Sequence, residues 1–454
     1  MISQQEYASR RARLMESVNH GVIFLKGNDE VLRNPDVPYE FRQESHFRYL
    51  TGIDMPGVSM MLVPSERRYI LFAPIQTNND KVWNGEGLSH DDLKRLFLAD
   101  EIHESGKELD VATRYNPESI HTLHAPSWFA TFLPNVTQYV DEKGGQLSRQ
   151  LVDMRLVKSP AEIALIEKAL DITRDSYYKA ITKTRPGINE SVIQAEIEYI
   201  YRANGATYAF PPIVTQNGNV LHLFRNGNTL ESGKMLLIDS GAEVDGYDAD
   251  ITRTFPVNGK FGPDQRDIYN IVLEAKKEAT SALRPNVNYR VIHMLAERII
   301  AEGLKDFGIL KGNVSNILEN GAHRLFFVHG LGHPLGSDDH DCGDFKDLTG
   351  GYNEYNPRSD KFGLNSLRYA KILQPGNVMT IEPGVYFIPV LLNDPKIRQE
   401  YREFVDFDLA LKLVRNVTGI RIEDDILITE TSHRQLGPRI PEEIKDLEQI
   451  IGKS

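Results

Sequence analysis

Four carboxylates and one imidazole with the chemistry of metal ligands stand in one order along the second half of the chain. They are Asp239 and Asp250 in LLIDSGAEVDGYDADITRTF, His333 in VHGLGHPLG, Glu382 in MTIEPGVYF and Glu423 in GIRIEDDILIT. Such a set can hold two divalent cations close together. Its four negative charges then balance four positive ones, and a bridging hydroxide is left as nucleophile. The chemistry expected is hydrolysis.

The elements around these residues must bring them together. Asp239 ends the apolar run Met235–Ile238, and Asp250 begins the return strand ITRTF eleven residues later. Gly241 and Gly246 allow a turn between them, so a β-hairpin can set the two carboxylates side by side, where like charge would raise one pKa unless a dication intervenes. Asp245 and Asp248 lie nearer the turn and are expected to face solvent; alone, all four would read as turn aspartates. His329 and His333 are four apart, but GLG separates them and Pro334 follows, so the helical HExxH zinc motif does not apply. The glycines let backbone approach a site, with His333 as ligand and His329 as a neighbouring donor. Glu382 follows an apolar strand and precedes Pro-Gly, where an unpaired carboxylate would be costly. Period-2 alternation puts Arg421 and Glu423 on one strand face, and the arginine can hold a second ligand oxygen or a substrate oxygen. Taken alone, that pair would read as an exposed strand ion pair. His121 and His124, in HTLHAPSW, have no carboxylates arranged around them and are expected on a surface loop.

At 454 residues the chain is too long for one ordinary core. Residues 1–155 alternate strand-like runs (GVIFLKG, SMMLVP, RYILFAP) with charge-rich helical stretches, the pattern of an α/β domain. From 156 to 454 long amphipathic helices interleave with the strand–turn–strand segments that carry the ligands, an α+β domain. Ser159, Pro160 and Glu162 form a helix-start signature just after the boundary. The Gly-, Asn-, Asp- and Tyr-rich stretch from 344 to 365 reads as a long irregular loop, functional or disordered. A net charge of -12 argues against nucleic acid or an anionic membrane as partner. Cys342 is the sole cysteine and no apolar stretch has membrane-spanning length, so the expected location is the cytoplasm.

Asp-Ser-Gly to Asp-Ile-Thr-Arg-Thr, His-Gly-Leu-Gly-His, Ile-Glu-Pro-Gly and Arg-Ile-Glu-Asp-Asp together resemble the signature segments of the proline-specific pita-bread metallopeptidases, which include prolidase and aminopeptidase P. FRQESHFRYLTGIDMPG looks like their N-terminal domain, so the resemblance covers essentially the whole chain. It implies a creatinase/aminopeptidase-like catalytic domain with metal ligands Asp239, Asp250, His333, Glu382 and Glu423, of which Asp250 and Glu423 bridge. It also implies that His222, His329 and His340 line the substrate pocket and stabilise an oxyanion. The peptide partner is a small substrate with proline second, and a homodimer is implied, with Trp83 reaching a partner subunit. Oxygen-rich ligation favours Mn2+ or Co2+, with Zn2+ possible.

Within the family, the resemblance places a dipeptidase arginine fourteen residues before the Glu-Pro-Gly glutamate, and Arg368 stands there. A guanidinium at a fixed distance from the metals would act as a ruler for a free carboxylate one residue past the scissile bond. The expected function is therefore Xaa-Pro dipeptide hydrolysis, with Glu382 shuttling a proton to the leaving proline nitrogen and with Arg368, Arg421, His222 and His340 binding substrate. The alternatives are an Xaa-Pro aminopeptidase acting on longer peptides and a catalytically silent binding protein. Two departures from the family pattern, Asp338–Asp339 before His340 and Leu223 after His222, could alter the pH optimum through His340 and the pocket shape.

Overall fold

A computed structural model describes the chain except residues 116, 125–136, 141–143, 226 and 454, with 137–140 described as a strand only. The chain divides into two compact units, Met1–Arg155 and Leu156–Ser454.

The first unit is built on a mixed six-stranded sheet. Its strands run, in spatial order, Glu101–Glu104, Arg68–Ala73, Ser59–Val63, Val22–Lys26, Ser119–Thr122 and Thr137–Val140. Val22–Lys26 pairs antiparallel with Ser59–Val63 and parallel with Ser119–Thr122. Its apolar runs are buried on both faces, as in sheets covered by helices on either side. Val22, Phe24, Met61, Val63, Ile70, Phe72 and Ile120 form one packed cluster with Val111 and Ala112 of the helix Glu108–Arg114. Each such side chain contributes roughly 1.5–3 kcal/mol on burial. His121 belongs to this interior, not to a surface loop: it lies on the buried strand Ser119–Thr122, its ring edge-on to His20 at 4.7 Å. His124 is exposed, and Ala125 onward lies outside the described residues.

The second unit is α+β. The helix Pro160–Lys183 starts where its sequence dictates: the Ser159 side chain accepts from the Glu162 N–H, and Glu162 reaches back to the Ser159 N–H. It packs on the helix Glu190–Ala203, and Pro263–Ala282 packs on Tyr289–Phe307. These pairs back several short sheets. One has the order Ile213–Thr215, Met235–Ser240, Ile251–Pro256, and another Val378–Ile381, Asp424–Ile428, His433–Gln435. Gly384–Tyr386 pairs with Gly419–Arg421. Single bridges, Thr252 to Glu423 and Pro334 to Met379, tie the sheets and the histidine loop together.

Candidate active site

Met235–Ser240 and Ile251–Pro256 pair antiparallel with Asp239 opposite Thr252 and Ser240 opposite Ile251, so Asp239 and Asp250 leave the same end of one ladder. Between them the chain makes a smaller hairpin, Ala242–Val244 with Tyr247–Asp248, closed by Asp245 and Gly246, both at positive φ. Asp-Gly is a favoured pair for such two-residue turns. Gly241 is where the two hairpins meet; a Cβ there would lie 1.5 Å from the Ala249 carbonyl oxygen, so no side chain fits. Asp245 faces solvent as expected. Asp248 does not: it is 1% exposed, because the small hairpin folds onto the helix Pro160–Lys183 and not into water.

His333 is held by its main chain and by its far ring nitrogen. Its N–H donates to Thr380 Oγ1 at 3.0 Å, and Nδ1 lies 3.0 Å from the Pro334 carbonyl oxygen. That turns Nε2 toward Asp250 Oδ2 at 3.4 Å and Glu382 Oε1 at 3.8 Å. The approach requires Gly332, whose Cβ would sit 2.1 Å from the Thr380 carbonyl oxygen.

Glu423 falls in the gap between Gly419–Arg421 and Asp424–Ile428, which belong to different sheets. Thr252 Oγ1 donates to Glu423 Oε2 at 2.7 Å. The Arg421–Glu423 segment is buried, contrary to an exposed strand pair. Arg421 takes Asp239 as its charge partner through Nη2. Its Nε donates to Thr252 Oγ1 at 3.0 Å and its Nη1 to Tyr386 Oη at 2.9 Å. His329 Nδ1 lies 2.7 Å from the Gly330 carbonyl oxygen, which makes it the protonated nitrogen, and Nε2 lies 2.8 Å from Tyr386 Oη. A directed chain results: Arg421 donates to Tyr386, and Tyr386 donates to His329.

Asp239, Asp250, His333, Glu382, Glu423, His222, His329, His340, Arg368 and Arg421 all line one cavity of about 570 Å3. The His333 and His340 rings meet edge to face at 4.4 Å. His222 and Arg368 are exposed at its rim. Residues without a motif of their own complete the site. Tyr386 and Thr252 link Arg421 to its neighbours, Asp425 Oδ2 accepts the Asp250 N–H at 3.0 Å, and Asp339 lines the cavity beside His340. Asp339 Oδ2 lies 3.6 Å from His340 Nε2.

The electrostatics are those of a cation site. Burial pushes Asp239 up to about 7; Arg421 pulls the other way, and Asp250 and Glu382 add to the rise. Burial, then the carboxylates of Asp250, Glu382 and Asp239, drives Glu423 well above its ordinary range, and burial also raises Glu382. Burial works against protonation of His333, but Asp250 and Glu382 outweigh it. Asp339 does not raise His340: burial, then His333, Arg368 and His222, push that imidazole down to about 2. Burial and Arg421 push His329 down to about 3.

Asp239 Oδ1, Asp250 Oδ1 and Glu423 Oε1 are buried with no hydrogen-bond donor among the described residues. Asp250, His333 and Glu423 each offer a ligand atom within 4.8 Å of the others. Buried oxygens without donors, clustered at one imidazole, fit divalent cations.

Carboxylates gathered in this way on the strands of an α+β fold define a metal-dependent hydrolase. The chain belongs to metallopeptidase family M24, which matches residues 164–430, with an aminopeptidase P N-terminal domain matching residues 7–118. Its fold is that N-terminal domain followed by a pita-bread catalytic domain. The Xaa-Pro aminopeptidase of Escherichia coli (strain K12) is 34% identical over 476 aligned residues, covering 98% of each chain. The low-pH form of E. coli aminopeptidase P superposes with a TM-score of 0.83 at 30% identity, over 99% of this chain and 98% of that one. A Zn-substituted E. coli aminopeptidase P in complex with product gives 0.82 at 30% identity with the same coverage.

Proposed function

We propose that the protein is an Xaa-Pro aminopeptidase that removes the N-terminal residue preceding proline. The observation that carries this reading is the convergence of ten residues on one cavity in a chain whose full-length relative is an Xaa-Pro aminopeptidase. Asp239, Asp250, His333, Glu382 and Glu423 would hold two divalent cations, Mn2+ first with Co2+ or Zn2+ as alternatives, which when bound supply Lewis acidity and an activated water.

The remaining chemistry belongs to the protein. Arg421 fixes Asp239 and, through Tyr386, orients His329. Both His329 nitrogens are engaged within the protein, which leaves His340 and His222, both lining the cavity, as the oxyanion donors. Glu382 lies 3.7 Å from His329 Nδ1 and is poised to carry a proton to the leaving proline nitrogen. That nitrogen belongs to a tertiary amide with no N–H, so the enzyme must read the carbonyl and the ring instead.

A second reading, Xaa-Pro dipeptide hydrolysis, is favoured by one observation. Arg368 lines the cavity, makes no ion pair with a described residue, and is close enough to depress His222 and His340. The two readings separate in one assay. Mn2+-loaded protein is given Ala-Pro and Ala-Pro-Ala; faster cleavage of the tripeptide supports the aminopeptidase, faster cleavage of Ala-Pro the dipeptidase, and no cleavage of either a silent binding protein.

Self-association through the N-terminal unit is part of the proposal, supported by Val82 and Trp83, 79% and 78% exposed on one short helix. Sedimentation of the wild type against Trp83→Ala tests it, with a homodimer that weakens in the variant as the expected result. Cytoplasmic location is proposed from the sequence having one cysteine, Cys342, and so no intrachain disulfide. Among the described residues no helix is long and apolar enough to cross a membrane.

A further inference from the structure

A layer of helix-borne hydroxyls lies behind the metal-facing residues. Tyr177, fully buried on the helix Pro160–Lys183, places its Oη 3.1 Å from the Ile238 carbonyl oxygen and within hydrogen-bond reach of the Ile251 carbonyl oxygen. Ile238 immediately precedes Asp239, and Ile251 immediately follows Asp250. The hydroxyl therefore spans the two strands at the point where the two carboxylates leave them.

One turn earlier on the same helix, Thr173 Oγ1 accepts the Ala242 N–H at 3.0 Å. From the neighbouring helix, Tyr201 Oη lies 2.9 Å from Ser240 Oγ. Three hydroxyls thus grip residues 238–242 and 251 from outside, and none of them lines the cavity.

We infer that Tyr177 is a positioning residue for the Asp239–Asp250 pair, its hydroxyl fixing the separation of the two ligand-bearing strands before any cation arrives. Two carboxylates facing each other in a buried site repel, and the ladder joining their strands ends at Ser240 and Ile251, so this end is where spreading would relieve the repulsion. A phenol proton shared between one carbonyl on each strand opposes the spreading with no charge of its own. Burial and the nearby Asp239 raise the phenol well above its ordinary value, so it stays a donor at neutral pH. Outer groups that orient metal ligands are typically worth about 10–100-fold in metal affinity.

The inference rests on the two-cation reading of the site and not on which peptide is cleaved. The test is calorimetric titration of the full-length, metal-stripped protein with MnCl2. Tyr177→Phe removes one oxygen and is expected to weaken Mn2+ binding about 10–100-fold. Tyr269→Phe serves as control: its buried hydroxyl donates to the carbonyl oxygen of Glu442, which lies on none of the ligand-bearing strands, at 2.6 Å, and Mn2+ affinity should stay at the wild-type value. Should Tyr177→Phe fail to fold, Tyr201→Phe tests the same grip through Ser240 and should weaken binding in the same direction. Wild-type affinity in Tyr177→Phe, or equal weakening in Tyr269→Phe, would overturn the inference while leaving the metal site intact. A wild type that binds no Mn2+ would overturn the two-cation reading and the inference with it.

Discussion

Lys158 Nζ lies 2.8 Å from Asp341 Oδ2, with both side chains 1% exposed. The pair joins the start of the catalytic unit to the residue after His340, and the Asp341 N–H donates to the Pro334 carbonyl oxygen at 2.9 Å. The histidine loop is therefore pinned from beneath by a buried charge pair. Removing one partner of such a pair leaves an uncompensated charge and costs about 3–5 kcal/mol. Lys158→Met should lower stability by that amount in urea denaturation. A change under about 1 kcal/mol would show the pair to be solvated and the pinning unimportant.

A buried carboxylate elsewhere sets the acid stability. Burial alone would raise Glu297, but the His293 and His323 rings, 3.4 and 3.2 Å from its Oε1, and Arg324, whose Nε donates to that oxygen at 2.6 Å, hold it well below its ordinary value. A carboxylate depressed in the folded state contributes stability that is present above its unfolded pKa, about 4.3, and is lost as pH falls toward the folded value. Wild-type stability should therefore fall steeply below about pH 4.3. Glu297→Gln should be less stable at pH 7 and show a flatter acid limb by thermal unfolding. An unchanged limb would assign acid sensitivity to other groups.

Two of the five ligand candidates, Asp239 and Glu382, were legible because each closes an apolar run just before Ser-Gly or Pro-Gly, where an inward carboxylate needs a reason. Their partners were not. Arg421 and Asp239 are 182 positions apart, and nothing local shows that a guanidinium two residues before Glu423 turns to the first ligand and not the last. Asp248 looked like a turn residue because its spacing from Gly246 is that of a turn; tertiary packing buried it. His121 was misplaced for a similar reason, since a short strand buried on both faces carries no alternation to read. Tyr177 lay inside a plain amphipathic helix, where a buried tyrosine is indistinguishable from core until its hydroxyl's partners are seen.

Two histidines face the cavity without their usual titration. His329 is pushed down to about 3 and His340 to about 2, so both are neutral above pH 5, and bound cations would push them the same way. The acid limb of kcat/KM should therefore come from other groups. His340→Gln should lower kcat by about 100-fold or more, as loss of one oxyanion donor does, with the limb unmoved. Disappearance of the limb in the pH profile of this variant would make His340 the titrating group.

Protons must leave when cations enter. Asp239 sits at about 7 without metal, and Glu423 and Glu382 are raised with it, so at pH 6.5 the empty cluster carries protons that a dication displaces. The raised pKa means the protonated, metal-free form gains as pH falls, so affinity must drop with acidity; above the raised range the ligands are already ionised and affinity levels off. Mn2+ titrations at pH 6.5 in two buffers of different ionisation enthalpy should give heats that differ by at least one proton's worth per site. Arg421→Met, which removes the cation now opposing the rise of Asp239, should increase proton release and steepen the pH dependence of Mn2+ binding. Equal heats in both buffers would mean the carboxylates are already ionised before metal binds, with Arg421 alone balancing them.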